Sequence, residues 1–303
     1  MKNKKGMRSR EKWIFYYAMI ALPLIQFIVF YIYVNFNSFA LAFQRLDYDK
    51  GGFVFANWEN FSSVFKEFRE HIFDVSIKNS LELFFWTMLF GSGFAILFSY
   101  YIYKQKYLSS TFKFILYTPH IISSVVFVII FMYFADIAIP ALVKEIFGKE
   151  TVGLLSEPKI TRSTIMFFNI WIGFGTQVLM YSGAMSSISE SVIESGQLDG
   201  VKPFRELVSI VVPLIWPTFV TFMVVNVVGL FTNQMSLFSF FGYRASDHGQ
   251  LETFGYYLFA GVKQATRAQY PYYSALGLLL TLVAVPITLI SKWLLEKFGP
   301  KTI

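Results

Sequence analysis

Apolar runs of about 20 residues, separated by short clusters of charge, fill most of the chain and match the thickness of a bilayer core. Inside lipid every backbone N–H and C=O must be satisfied within the protein, so such runs are helices or strands of a closed barrel. The alternating pattern of a membrane barrel is absent. Of 303 residues, 55% are hydrophobic and 15% charged, whereas a soluble domain carries roughly a quarter charged residues. The expected fold is all-α: a polytopic membrane protein with six transmembrane helices at 13–35, 77–103, 112–135, 163–186, 207–232 and 272–295. These are expected to form a single transmembrane domain over 1–303, without a second domain, linker or internal repeat. The N-terminus starts like a signal peptide, but its apolar part is too long and no small-residue cleavage site follows. It is read as a retained first span.

The net charge of +7 does not point to nucleic acid, because the bases flank the spans, where Lys and Arg orient a membrane chain. The basic tail "KNKKGMRSREK", then Lys104, Lys106 and Lys113, then Lys292, Lys297 and Lys301 fall on one side if there are six spans. That side is expected to be cytoplasmic, with both termini on it. The longer opposite loops mix signs, and "NWENFSSVFKEF" has aromatic residues at helical spacing. It reads as an amphipathic helix, either lying at the outer interface or packed on neighbouring spans.

The absence of cysteine excludes disulfides and thiol chemistry. His71, His120 and His248 lie far apart, so no metal site is expected. His120, after Pro119 in the third span, is read as a neutral imidazole satisfied by a neighbouring helix. The six spans contain almost no ionisable groups, and Glu82 and Asp136 both sit near outer ends, which disfavours a proton-coupled secondary transporter. Neither H-E-x-x-H nor an intramembrane nucleophile pair is present, so catalytic residues are not expected and the chain reads as a non-enzyme.

One polar stretch interrupts the apolar pattern: "SISESVIESGQLDGVKPFRELVSIVVPLIWP", from Ser187 to Pro217. Glu190 and Glu194 stand one turn apart, among apolar Ile188, Val192, Ile193 and Leu198, in a short amphipathic helix with its acids toward the N-terminal end. Asp199-Gly200 is a turn signal, and Pro203 suits the first turn of a second helix that continues into the fifth span. The loop at 187–206 is therefore a helix–turn–helix on the cytoplasmic surface, suited to docking into another protein.

Glu194, Asp199-Gly200, Ile210 and Pro213 follow a long ordered pattern that resembles the signature loop of bacterial ABC importer permeases, which runs Glu-Ala-Ala, then Asp-Gly-Ala, then Ile-x-Leu-Pro. Ser195 and Gly196 replace the two alanines, Val201 the third, and Val212 the leucine. "YTPHIISSVVFVIIF", "NIWIGFGTQVLMYSGAMSSIS", "NSLELFFWTMLFG" and "YYSALGLLLTLVAVPITLISKW" resemble other spans of the polysaccharide and oligosaccharide branch. From about Asn57 onward the chain resembles a type I sugar-importer permease of the maltose-transporter class.

That resemblance implies a second homologous permease, two cytoplasmic ATPase subunits, an extracytoplasmic sugar-binding protein and an oligosaccharide substrate. ATP and magnesium would sit on the ATPases; this chain has no G-x-x-x-x-G-K-[ST] and is expected to bind no cofactor. Glu190, Glu194, Ser195, Gly196, Asp199 and Gly200 would form the coupling surface, with Glu194 in the ATPase cleft. An amino-acid or phosphate permease shares this loop and stands as the alternative.

For substrate, Asn169, Gly173 and Gln177, with Trp171 nearby, recur at helical spacing in the fourth span, as do Asn226, Gly229 and Asn233 in the fifth. Such residues face a cavity or the bundle interior, or serve helix–helix hydrogen bonds and close packing; both roles are open. Arg244, Lys263 and Arg267 in the loop before the sixth span would suit an acidic sugar.

Overall fold

The computed structural model describes residues 9–69, 72–245 and 251–300. His71 and His248 lie outside them. Among the described residues, five helices are long and apolar enough to cross a membrane: Lys12–Ala42, Asp74–Tyr103, Ser124–Phe147, Pro158–Ser186 and Tyr270–Phe298. A sixth span is a bent pair, Pro203–Leu214 with Trp216–Thr232, its halves turned by 72°.

Two of the expected boundaries need correction. The third span does not run straight through 112–135. A helix covers Ser109–Ile121, the backbone turns extended at Ile122 and Ser123, and a new helix starts at Ser124. Thr118, Pro119, His120, Ser123 and Ser124 interrupt the apolar run at the break, and Pro119, buried near the end of the first helix, is the local signal for a bend. The fifth span, expected at 207–232, bends at Ile215, between Pro213 and Pro217. Pro217 sits in the first turn of the helix that follows the bend, where a missing N–H costs little, and Pro213 lies two residues before the bend.

The chain divides into two compact units, residues 1–66 with 264–279 and residues 67–263 with 280–303. In the first, the Lys12–Ala42 helix carries apolar side chains on every face with none of its apolar stretch buried, as lipid-facing helices do. It leads into a hairpin that the all-α expectation lacked: β1 (Gln44–Asp47) pairs antiparallel with β2 (Gly52–Phe55). Asp47 accepts the N–H groups of Asp49 and Lys50, and Gly51 takes φ +65° to close the turn. The expected amphipathic helix forms at Glu59–Arg69 and buries Phe61 and Val64. Asn60 donates to the carbonyls of Ala42 and Gln44, at 2.9 and 2.7 Å, and so ties this helix to the hairpin.

Among the described residues of the second unit, two buried clusters stand out. One joins Phe127, Val128, Phe131, Ile165, Phe168, Met235, Leu237 and Phe240 around the third and fourth spans. The other joins Ala95, Val178, Tyr181 and Met185 to Ile193, Leu207, Val211 and Ile215. Close approaches rest on small residues: a Cβ on Gly175 would strike the Leu116 carbonyl. Beside that contact His120 Nε2 lies 2.6 Å from the Ile172 carbonyl and 2.8 Å from the Thr176 hydroxyl of the fourth span.

Candidate functional site

The polar loop forms as two short helices, Glu190–Leu198 and Pro203–Glu206. Between them Gly200 takes φ +75°. Its N–H bonds the Gln197 carbonyl at 3.0 Å, and the Val201 N–H bonds the Gly196 carbonyl at 3.0 Å. This pair of bonds closes the helix end through a left-handed residue, a place that favours glycine. Ile193 and Gly196 face inward, while Glu190, Glu194, Ser195, Asp199 and Gly200 are exposed. A Cβ on Gly196 would come within 2.7 Å of Ile210 Cδ1, so its smallness serves packing against the fifth span. Leu198, read from its spacing as part of the inward face, is instead 89% exposed at the tip, with Phe204 at 74% close by in sequence. The outer surface of the loop thus combines carboxylates, small residues and bare apolar side chains.

Sequence reasoning missed the residue that fixes this loop in place. Glu206 ends the second short helix, and its side chain is 3% exposed. It pairs with Lys104 at the C-terminal end of the second span. Tyr100 Oη lies 3.1 Å from Glu206 Oε1 and 3.1 Å from the Pro203 carbonyl, and Gln197 Nε2 donates to Oε2 at 3.4 Å. A buried carboxylate needs such partners, because an uncompensated charge in the interior costs several kcal/mol. A lone acid among loop residues gives no sequence signal of burial.

The four span residues with polar side chains do not converge. Asn226 and Asn233 line a cavity of about 430 Å³ with Ser80, Thr87, Gly229 and Thr232. The Asn226 Nδ2 is buried without a hydrogen-bond partner. Asn233 caps the Trp216–Thr232 helix and accepts the Met235 N–H at 2.8 Å. Ser80 and Thr87 were missed; two polar residues two turns apart in the second span are their signal. Asn169 lies elsewhere. It donates to the Ile165 and Met235 carbonyls, each at 2.8 Å, and accepts from Ser236 Oγ at 3.1 Å, which pins the chain past the fifth span. Gln177 is buried and accepts from Ser92 Oγ at 3.0 Å, joining the fourth span to the second. Trp171 lines a separate apolar groove of about 730 Å³ with Trp86, Phe90 and Phe94.

The charged groups are also placed. Arg162 pairs with Glu82. Asp136 accepts the Leu155 N–H at 2.8 Å. Arg267 stands 5.4 Å over the Phe53 ring and Lys263 6.0 Å over Phe259, both within cation–π reach. Arg244 is exposed and precedes the undescribed 246–250 segment.

An exposed helix–turn–helix loop, two broken spans and a cavity with hydroxyls and carboxamides in its wall stand together in this membrane chain, and comparison with known proteins identifies its family. Residues 87–303 match the family described as binding-protein-dependent transport system inner membrane component, and the chain belongs to it. It is 21% identical over 296 residues to Protein LplB of Bacillus subtilis, covering 96% of this chain and 90% of that one. It is 22% identical to the arabinooligosaccharides transport system permease protein AraP of the same organism over 281 residues, 91% of this chain and 86% of AraP. Among solved structures it resembles a chain of a bacterial ABC transporter involved in the import of the acidic polysaccharide alginate, with a TM-score of 0.77, 22% identity and coverage of 96% and 97% of the two chains. The chain is a multi-pass membrane protein of this transport family.

Proposed function

We propose that this chain is one of two permease subunits of an ATP-driven importer of oligosaccharides, forming one side of the translocation path within a single transmembrane domain. Two ATPase subunits, holding ATP and magnesium, dock on the cytoplasmic face. There Glu190, Glu194, Ser195, Gly196, Asp199 and Gly200 form the coupling surface, and both termini lie on the same side. An extracytoplasmic binding protein delivers the sugar. Closure of the ATPase pair displaces the loop and rocks the spans about the cavity, a rigid-body change of access.

The observation that carries this reading is the loop itself: a rigid turn at Gly200, an inward face locked by Ile193 and Gly196, and an outward face of acids and bare apolar side chains. Sugar is favoured over amino acids or phosphate by the cavity wall. Its polar side chains are hydroxyls and carboxamides, uncharged groups that pair with sugar hydroxyls, whereas an ionic solute needs a counter-charge. The names of AraP and of the alginate importer point the same way. The Arg267 and Lys263 cations already lie on aromatic rings, so they argue little for an acidic sugar.

The test is reconstitution in liposomes with a second permease, the ATPases and the binding protein, using arabino-oligosaccharides as the first probe. The expected result is ATP hydrolysis stimulated by loaded binding protein, with uptake. Uptake by this chain alone in a proton gradient, without ATPases, would overturn the proposal.

A further inference from the structure

The cavity between the second and fifth spans has two walls, and the loop is joined to them differently. The fifth-span wall, Val224 to Asn233, follows the loop along the same chain through the bend at Ile215. The second-span wall, Ser80 to Thr87, belongs to a helix that reaches the loop only at its far end, at Tyr100 and Lys104. From Thr87 to Tyr100 is 13 residues, about 20 Å of helix at 1.5 Å per residue. A displacement of the loop moves the fifth-span wall directly. It moves the second only through contacts.

Two kinds of contact cross that junction. Ile193, Leu207 and Val211 share a buried cluster with Ala95 of the second span, and apolar packing of this kind is non-directional. The Glu206 cluster is directional. One carboxylate, 3% exposed, receives Lys104 and Tyr100 from the second span and Gln197 from the coupling helix. Charge-assisted bonds of this sort fix geometry as well as adding energy. Lys104 is held further by the rings of Tyr100 and Tyr103, 5.6 and 5.7 Å away.

We infer that Glu206 is a positioning residue: through Lys104, Tyr100 and Gln197 it clamps the coupling helix to the second span, so that loop displacement carries both cavity walls together. This rests on the proposed coupling role of the loop. Nothing in the signature pattern marks position 206, so the clamp is a property of this chain's own side chains.

The absence of cysteine permits labelling at introduced pairs. Spin labels at Leu81→Cys, in the second span, and Lys202→Cys, in the loop, are both at exposed positions. Their separation is read by pulsed EPR in the reconstituted complex, without nucleotide and with ATP and vanadate. The wild-type background is expected to give one narrow distance that does not change with ATP. Glu206→Ala is expected to broaden and shift it on ATP binding, and the swap Lys104→Glu with Glu206→Lys to restore it. Lys104→Met with Glu206→Leu removes both charges at similar volume, which buried pairs tolerate for folding; it too is expected to broaden the distance.

A distance that stays narrow in the Met/Leu variant means packing alone makes the clamp, and the inference fails. A wild-type distance that changes with ATP also overturns it. If the ATPases do not co-purify with the unmodified chain, the coupling reading itself fails, an outcome distinct from both.

Discussion

The coupling loop and the cavity wall use polar residues in opposite ways. In the loop, Glu190, Glu194 and Asp199 point outward, and the shape is carried by backbone bonds at Gly200 and by the buried Ile193 and Gly196. In the fifth-span wall the polar group points inward, and Asn226 Nδ2 is buried without a partner. The loop is organised before any partner arrives; the wall holds a donor whose partner must come from outside this chain's described residues. The proposed docking role asks for rigidity in the loop, while the proposed sugar path asks for groups left available at modest cost.

The largest effect should follow from attacking the loop's rigidity. Valine at 200 would sit in the left-handed region, at a cost of about 1–2 kcal/mol before its branched side chain is counted. It would also loosen the helix end that presents Asp199. Gly200→Val is expected to lower stimulated ATPase activity by about tenfold or more, the scale of strong coupling energies, with the chain still inserted in the membrane. Gly200→Asn, which tolerates the left-handed region, should retain most of it. Equal losses in both variants would mean that the surface, and not the turn, is what matters.

That contrast also explains what was legible in the sequence. The loop's order of Glu194, Asp199, Gly200, Ile210 and Pro213 is a consequence of its turn and contacts, so the pattern and the geometry carry the same information. The spans were legible from hydropathy because lipid imposes length and apolarity. The breaks at Ile122 and Ile215 were not, since tertiary packing decides whether a proline near a helix end bends it. Glu206 was hidden because burial of a loop acid depends on Lys104, about a hundred residues away along the chain. The helical spacing of Asn169, Gln177, Asn226 and Asn233 marks polar positions within the spans without saying what each one meets. It cannot distinguish Asn169, whose amide is fully engaged, from Asn226, whose amide is not.

That pair gives the next test. Asn169→Leu would orphan the Met235 carbonyl and the Ser236 hydroxyl, and each buried polar group left unsatisfied costs about 1–3 kcal/mol. The variant should unfold at clearly lower temperature in detergent. Asn226→Leu removes a donor that has no partner, so its unfolding temperature should change little or rise, while oligosaccharide uptake falls. The measurements are a thermal melt and an uptake assay on the same preparations. If Asn226→Leu melts as early as Asn169→Leu, the two amides do the same work and the distinction between structural and available polar groups collapses.

The smallest effect returns to the loop and asks how finely its inward face is fitted. Gly196 stands where the family pattern has alanine, and an added Cβ would approach Ile210 Cδ1 to 2.7 Å. That contact is with the flexible end of a side chain, so the isoleucine can rotate away at some cost in packing. Against it, alanine in a helix interior gains roughly 0.5–1 kcal/mol over glycine. The two terms are of similar size, and Gly196→Ala alone should therefore leave stability and coupling nearly unchanged. Ile210→Val alone should lose about 0.5–1.5 kcal/mol by removing a methyl group from a packed site. Combined, the added Cβ fills the space that the lost methyl vacates, and the double variant should be more stable than Ile210→Val by more than Gly196→Ala adds to the unaltered chain. A double-mutant cycle on unfolding temperature reads this directly. Strict additivity would mean that Gly196 and Ile210 do not share a contact, and the inward face of the loop would then owe its position to Ile193 and Glu206 alone.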